Sequence, residues 1–336
     1  MSSLRFVIIG SGLISRSHAD ALKMIDGAEL AAVCDIKVEA AEKMAQEYGC
    51  HAYKDADEML DRENPDAAII CVPTFLHEQY VELCAGKGVH VLCEKPLERH
   101  PEQCRKLIEA AEKAGIIFMT AQVVRFWSGY TTIKKMFDSG ELGQVYMMHL
   151  RRVSSRAGQY GQWLFEPELG GGAMHDMLVH DVDFLRYVAG EFDRCYANAV
   201  KDETGCYNNV MANLIHKNGI HAVAEVSFTM QTGYPFSFSV HIVGSEATVE
   251  YSYSAGATIA DRGGSKCEMK VWRKETGLEE IEVQNYDAYQ KQLEYFVSCV
   301  KTKRQPEIIT PQQSYEVILA IEALHESADS GEIKFL

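Results

Sequence analysis

The run Arg5-Phe6-Val7-Ile8-Ile9-Gly10-Ser11-Gly12-Leu13-Ile14-Ser15 decides the fold. Its continuous apolar segment reads as a short strand buried on both faces. A glycine turn follows, and then a helix predicted to reach about Ile25. A second strand, Glu29 to Cys34, ends at Asp35. This strand–helix–strand unit is the setting in which a glycine turn cradles a dinucleotide. Gly10 permits the tight turn. Gly12 lets the backbone approach a pyrophosphate, which would meet the amides at the start of a helix opening with Leu13 and Ile14. Ser11 lies between them, and Ser15 takes the place of a third glycine, where helix–strand packing needs a small residue.

Asp35 is placed to accept hydrogen bonds from the adenosine ribose hydroxyls. Its charge would repel a 2′-phosphate, which favours NAD over NADP, although Lys37 stands nearby. Outward from this unit the alternation continues. Val38 to Tyr48 is a predicted helix, Ala67 to Val72 a strand, Leu76 to Gly86 a helix, and Val89 to Cys93 a strand. Pro101 to Ala114 is a helix and Ile116 to Thr120 a further strand. Strands alternating with helices imply a parallel, doubly wound sheet whose ligand lies beyond the C-terminal strand ends. Those ends bring Cys71, Pro73, Thr74, Glu94, Lys95, Pro96 and Gln122 to one edge as cofactor-lining candidates. His77 is expected nearby, in first-turn structure. Lys95, stiffened by Pro96, is a candidate donor to a substrate oxygen.

A second stretch carries chemistry: Gly170-Gly171-Gly172-Ala173-Met174-His175-Asp176-Met177-Leu178-Val179-His180-Asp181-Val182-Asp183. On one helix from Ala173 to Val188, Asp176 and His180 would be four apart and share a face. A carboxylate one turn from an imidazole can orient it and support its positive charge, as a proton-accepting histidine near neutral pH requires. His175 and His180, five apart, would point away from each other, so no metal site is expected.

The rest of the chain sets bounds. Its 336 residues suffice for two domains, and 47% hydrophobic residues can fill substantial cores. A net charge of −15 argues against nucleic acid. Ten scattered cysteines with no Cys-x-x-Cys pair suggest a reducing cytoplasm. No apolar run of transmembrane length and no signal peptide is read, so no membrane partner is expected. From Val145 onward, alternating strands such as Met211-Ala212-Asn213-Leu214-Ile215 suit an antiparallel sheet with one covered face. The polar loop Ser154 to Leu169, carrying Trp163, is a candidate cover for a substrate. Arg125, Arg152 and Tyr234 are candidate substrate contacts.

Taken in order, Gly-x-Gly-x-x-small, Cys-Val-Pro-Thr-x-x-His, Glu-Lys-Pro and Gly-Gly-Gly-x-x-x-Asp-x-x-x-His-x-x-Asp resemble the Gfo/Idh/MocA family over nearly the whole chain. The resemblance implies a Rossmann domain, residues 1–123, and a second α/β domain with a large, mostly antiparallel sheet, residues 124–336. It implies hydride transfer between a nicotinamide cofactor and a sugar, inositol or related polyol, with Lys95, Asp176 and His180 as catalytic residues. It also implies a homo-oligomer, dimer or tetramer. The family usually has glycine where this chain has Leu178, a change expected to reshape the pocket floor. Two alternatives use the same scaffold: a redox-neutral NAD-dependent glycosidase and a non-catalytic cofactor- and sugar-binding sensor.

Overall fold

The computed structural model describes residues 3–156, 161–255 and 265–336. The chain divides into two compact units. One comprises residues 1–126 and 287–316, the other residues 127–286 and 317–336. The compact units differ from the linear division at 123/124 in that a C-terminal segment returns to the first unit. The cause is packing. Phe296, on a helix of that segment, meets Phe6 of the first strand edge-on at 6.2 Å, and both rings are fully buried.

The first unit alternates strand and helix. Its elements are β1 (Leu4–Ile9), α1 (Leu13–Lys23), β2 (Ala28–Cys34), α2 (Val38–Tyr48), β3 (His51–Tyr53), α3 (Ala56–Glu63), β4 (Ala67–Ile70), α4 (His77–Gly86), β5 (His90–Cys93), α5 (Pro101–Ala114) and β6 (Phe118–Thr120). All six strands are parallel, in the order β3-β2-β1-β4-β5-β6. Strand order reverses between β1 and β4, the switch point where such sheets take their ligands. Strands β1, β4 and β5 are buried on both faces, so they read as unbroken apolar runs rather than alternating ones. The short β3 and α3 were not anticipated. Asp55 caps α3 through the Glu58 amide at 2.9 Å.

The second unit contains α6 (Ser128–Asp138), β7 (Val145–Ser155), α7 (Ala173–Asp176), α8 (Leu178–Ala189), β8 (Phe192–Lys201), β9 (Tyr207–His216), β10 (His221–Met230), β11 (Ser237–Gly244), β12 (Ala247–Ser254), β13 (Lys266–Arg273) and β14 (Gly277–Glu280). After α9 (Ala288–Thr302) in the first unit comes α10 (Pro311–Ser330), which passes from the first set of residues to the second. β15 (Lys334–Phe335) ends the chain. The nine-stranded sheet runs β14-β13-β12-β11-β7-β10-β9-β8-β15. Among the described residues of this sheet, β7 and β10 pair in parallel and the other neighbours are antiparallel. Its alternation is strict where one face is covered: in β9, Val210, Ala212 and Leu214 are buried while Met211 is 54% exposed. Helix α8 lies against β7 and β10 on the covered face. Tyr130 meets Phe184 edge-on at 4.6 Å there. No helix among the described residues is long and apolar enough to cross a membrane.

Candidate active site

In the first unit, the turn between β1 and α1 is shaped by what it must avoid. Gly10 has φ +97°, and a Cβ there would lie 2.5 Å from the Cys71 carbonyl oxygen. Only glycine fits. Gly12 differs: its φ is −71°, and a Cβ there would meet nothing within 4 Å. The backbone at the start of α1 is thus left open by the protein itself. Gly12 is the N-cap of α1 and offers no side chain to the first-turn amides. Exposed amides at a helix start suit a pyrophosphate, so the residues present fit a dinucleotide.

Ser15, in the third-glycine place, is fully buried; its hydroxyl donates to the Gly12 carbonyl at 2.5 Å and lies 3.7 Å from the Met44 sulfur. It therefore joins α1 to α2. Asp35, past the end of β2, is fixed from both sides. Oδ2 accepts from the Ser11 amide at 2.9 Å and the Ser11 hydroxyl at 2.7 Å, and Oδ1 from the Lys37 amide at 2.9 Å. Leu13 is 54% exposed beside this turn, and Ile14 is half-buried.

Along the same edge, Cys71, Pro73 and Thr74 follow β4. Glu94, Lys95 and Pro96 follow β5, and Gln122 follows β6. Cys71, Thr74 and Gln122 are buried, so their side chains pack beneath the edge. Lys95 is half-buried. His77, expected near the cofactor, is an internal pin between two segments of this edge. It is 1% exposed, with Nδ1 3.1 Å from the Leu97 carbonyl oxygen and Nε2 3.1 Å from that of Val72. Burial holds its pKa below the usual histidine value, although the facing carbonyls oppose the shift. It ties the segment after Lys95 to the segment after β4. Glu98 is also buried and accepts from the Glu78 amide at 3.1 Å and the Arg99 amide at 3.3 Å. Burial raises its pKa to about 7.

In the second unit, the single helix expected over Ala173–Val188 is two segments, α7 and α8, joined at Met177. The His180 amide bonds to the Met177 carbonyl at 3.2 Å, a tightened three-residue step. Met177 keeps right-handed helical torsions, so Asp176 and His180 remain about one turn apart along the backbone. Gly172, φ +67°, starts α7 where a Cβ would lie 2.4 Å from Asn208 Oδ1. Asn208, fully buried on β9, accepts from the Ala173 amide at 2.9 Å and donates to Asp202 at 2.9 Å. It caps the helix that carries Asp176. Leu178 is fully buried.

Two of the candidate substrate contacts, Arg152 and Arg125, are held by protein partners. Arg152 is 3% exposed, and its guanidinium is committed to Asp181 and, at 3.1 Å, to the Tyr130 hydroxyl. Burial pushes the Asp181 carboxyl up, with Arg152 pulling it back. Arg125 is 2% exposed and donates to the Ile308 carbonyl and, at 2.7 Å, to Gln313. It secures the segment between α9 and α10. Tyr234 is 38% exposed, and its carbonyl accepts from the Ser155 hydroxyl at 3.2 Å. Trp163 lies on a short 3-10 turn, Gln162–Phe165, half-buried, with its indole where a Gly161 Cβ would be. The cover expected over Ser154–Leu169 lies partly outside the described residues, at 157–160.

Sequence reasoning missed His18, Glu98 and Asn208. His18 had a signal: Ser15, His18, Ala19 and Leu22 form the buried stripe of α1, so a histidine stands where an apolar residue belongs. Asn208 had none, because its partner is far away in sequence.

A doubly wound sheet with a glycine turn at its switch point and an acid at the end of β2 defines an NAD-binding Rossmann oxidoreductase, here joined to a large mixed sheet. Comparison with known proteins agrees. Residues 4–122 match the Gfo/Idh/MocA oxidoreductase family with its NAD-binding Rossmann fold, and residues 130–250 match the Gfo/Idh/MocA C-terminal domain. The chain belongs to the Gfo/Idh/MocA family. It is 27% identical to a myo-inositol 2-dehydrogenase of Thermotoga maritima over 98% of both chains. It is 33% identical to a D-glucoside 3-dehydrogenase of Escherichia coli over 56% of this chain and 55% of that one. The structure of an aldose-aldose oxidoreductase from Caulobacter crescentus superposes with a TM-score of 0.87. It covers 99% of this chain and 100% of that one at 22% identity, a likeness of fold.

Proposed function

We propose that this protein is an NAD-dependent dehydrogenase of a cyclic polyol or sugar, oxidising one ring hydroxyl. The observation that carries the reading is the pairing of an open glycine turn at Gly12 with the Lys95 turn on the same sheet edge. Full-length similarity to a myo-inositol 2-dehydrogenase supports the polyol class, and partial similarity to a glucoside dehydrogenase supports sugars. NAD is favoured over NADP because Asp35 is held as a fixed acceptor beside the glycine turn.

A bound nicotinamide supplies the hydride acceptor. His180 takes the hydroxyl proton. Asp176, one turn earlier, orients the imidazole and supports its positive charge. By the family motif, Lys95 would donate to a substrate oxygen and stabilise developing negative charge. These three roles follow the family motif residue by residue. The protein is expected in the cytoplasm as a homo-oligomer.

The test is direct. Purified protein is mixed with NAD or NADP and a panel of inositols, aldoses and glycosides, and the reduced-nicotinamide absorbance is followed. His180→Ala is expected to abolish turnover while NAD binding, read by protein fluorescence, stays near wild type. Turnover retained in that variant would remove His180 from the role.

A further inference from the structure

His18 is fully buried in the middle of α1, the helix that begins at the glycine turn. Its Nε2 lies 2.6 Å from Glu94 Oε1, and the other Glu94 oxygen accepts the Lys95 amide at 3.1 Å. The Tyr289 ring meets the imidazole edge-on at 5.4 Å. His18 Nδ1 is buried and has no hydrogen-bond partner among the described residues. The ring hydrogen therefore belongs on Nε2, where an acceptor waits. A buried carboxylate needs donors, and Glu94 takes one from α1 and one from the backbone of Lys95.

We propose that His18 and Glu94 are positioning residues that join the glycine-turn helix to the Lys95 backbone. Through them, the helix that receives the dinucleotide sets where the Lys95 amine stands. A pair serving stability alone needs only to bury its polar atoms. This pair instead spans two elements that both end at the ligand edge, and its second carboxylate oxygen is spent on Lys95 itself. The proposal rests on the role given to Lys95 above, so its test includes a readout that needs no turnover.

His18→Leu removes the donor, and His18→Asn shortens its reach. His18→Gln keeps an amide N–H at similar reach. Each is compared with wild type for kcat, polyol KM and NAD affinity. The acylation rate of Lys95 by an amine-reactive ester is measured alongside, by peptide mass spectrometry. We expect kcat to fall about 10- to 100-fold in His18→Leu and His18→Asn, KM and NAD affinity to change less than about threefold, and His18→Gln to recover most of the loss. The Lys95 acylation rate should change in the two disruptive variants and return in His18→Gln. Lys95 acylation unchanged in the folded variants, with only thermal stability reduced, would overturn the proposal. If wild type turns over no polyol, the function proposed above fails, and the acylation rates alone still decide the link. If His18→Leu does not fold, His18→Asn is read in the same way.

Discussion

Arg152 Nη2 and Asp181 Oδ1 meet at 2.8 Å with neither side chain more than 3% exposed, and Arg152 Nε adds a second bond to Oδ2 at 3.2 Å. The pair fastens α8 to β7 at the residue directly after His180. Two charges so deeply buried stabilise little as a pair, yet each is costly alone. Arg152→Met leaves a buried carboxylate with its main partner gone. It is expected to lower stability by about 3–5 kcal/mol in urea unfolding. Arg152→Met combined with Asp181→Leu should recover much of that loss, because the unmatched charge leaves with its partner. A double variant no better than the single would mean that the pair's geometry, rather than the stranded charge, carries the stability.

The first unit was legible because its signals are local. Glycines at the Gly10 turn, the acid at Asp35 and apolar runs ending at Val72 and Cys93 each fix their own neighbourhood, and the fold follows from their order. β3 and α3 escaped notice because a three-residue strand has too little period to read and α3 buries only Ala56, Met59, Leu60 and Glu63. The protein partners of Arg125 and Arg152 stayed hidden for a different reason. A polar side chain in sequence looks the same whether it faces a ligand or a distant partner, and Asp181 and Gln313 became visible as partners only in three dimensions.

The two turn glycines should separate stability from binding. A Cβ at Gly10 collides with the Cys71 backbone at positive φ, so Gly10→Ala is expected to destabilise the first unit by more than about 1 kcal/mol. Gly12→Ser adds a good N-cap at a position with open space, so the melting temperature should hold or rise. NAD affinity in Gly12→Ser should nevertheless fall about tenfold or more, because the hydroxymethyl group occupies the space left for the pyrophosphate. Calorimetric titration with NAD alongside thermal melts reads both effects. Unaltered affinity would show that the ligand does not approach Gly12.

Asn208 offers a comparable test for the short helix α7. Four residues hold few internal bonds, so the cap from β9 to the Ala173 amide matters more than in a long helix. Asn208→Ala is expected to cost about 1–2 kcal/mol and to lower kcat, because Asp176 ends that helix. Asn208→Asp keeps the acceptor oxygen but places a carboxylate against Asp202, so it should not restore stability fully. Urea unfolding and steady-state kinetics on the same samples check this. Full kcat in Asn208→Ala would show that α7 is held in place without its cap.

Glu98 predicts a pH dependence whose sign is fixed by its raised pKa. An unfolded glutamate titrates near 4.5, and in the fold burial raises this one to about 7. Below both values the carboxyl is neutral in both states. Between them the unfolded chain gives up its proton and the native one does not, so stability falls as pH rises toward 7 and levels off above it. The loss is about 3 kcal/mol if the whole difference is realised. Glu98→Gln removes the titration, and its stability relative to wild type should improve steadily from pH 4.5 to 7. Parallel pH profiles for the two proteins in chemical denaturation would show that Glu98 does not titrate in this range.

Asp35 should set the choice between NAD and NADP. Its two oxygens accept three hydrogen bonds from Ser11 and Lys37, which hold the carboxylate at the end of β2. A fixed negative charge there opposes a 2′-phosphate more strongly than a mobile one, since it cannot swing away to lessen the repulsion. Asp35→Asn preserves the shape and removes the charge. The ratio of kcat/KM for NAD to that for NADP should fall by about tenfold or more, a difference of about 1.4 kcal/mol in transition-state binding. Lys37 is exposed beside it and acts in the opposite sense. Lys37→Ala should therefore raise the same ratio by a smaller factor, because a solvated ammonium is screened by water and salt. Should Asp35→Asn leave the ratio where it was while Lys37→Ala moves it, the preference would belong to the lysine rather than to the acid at the end of β2.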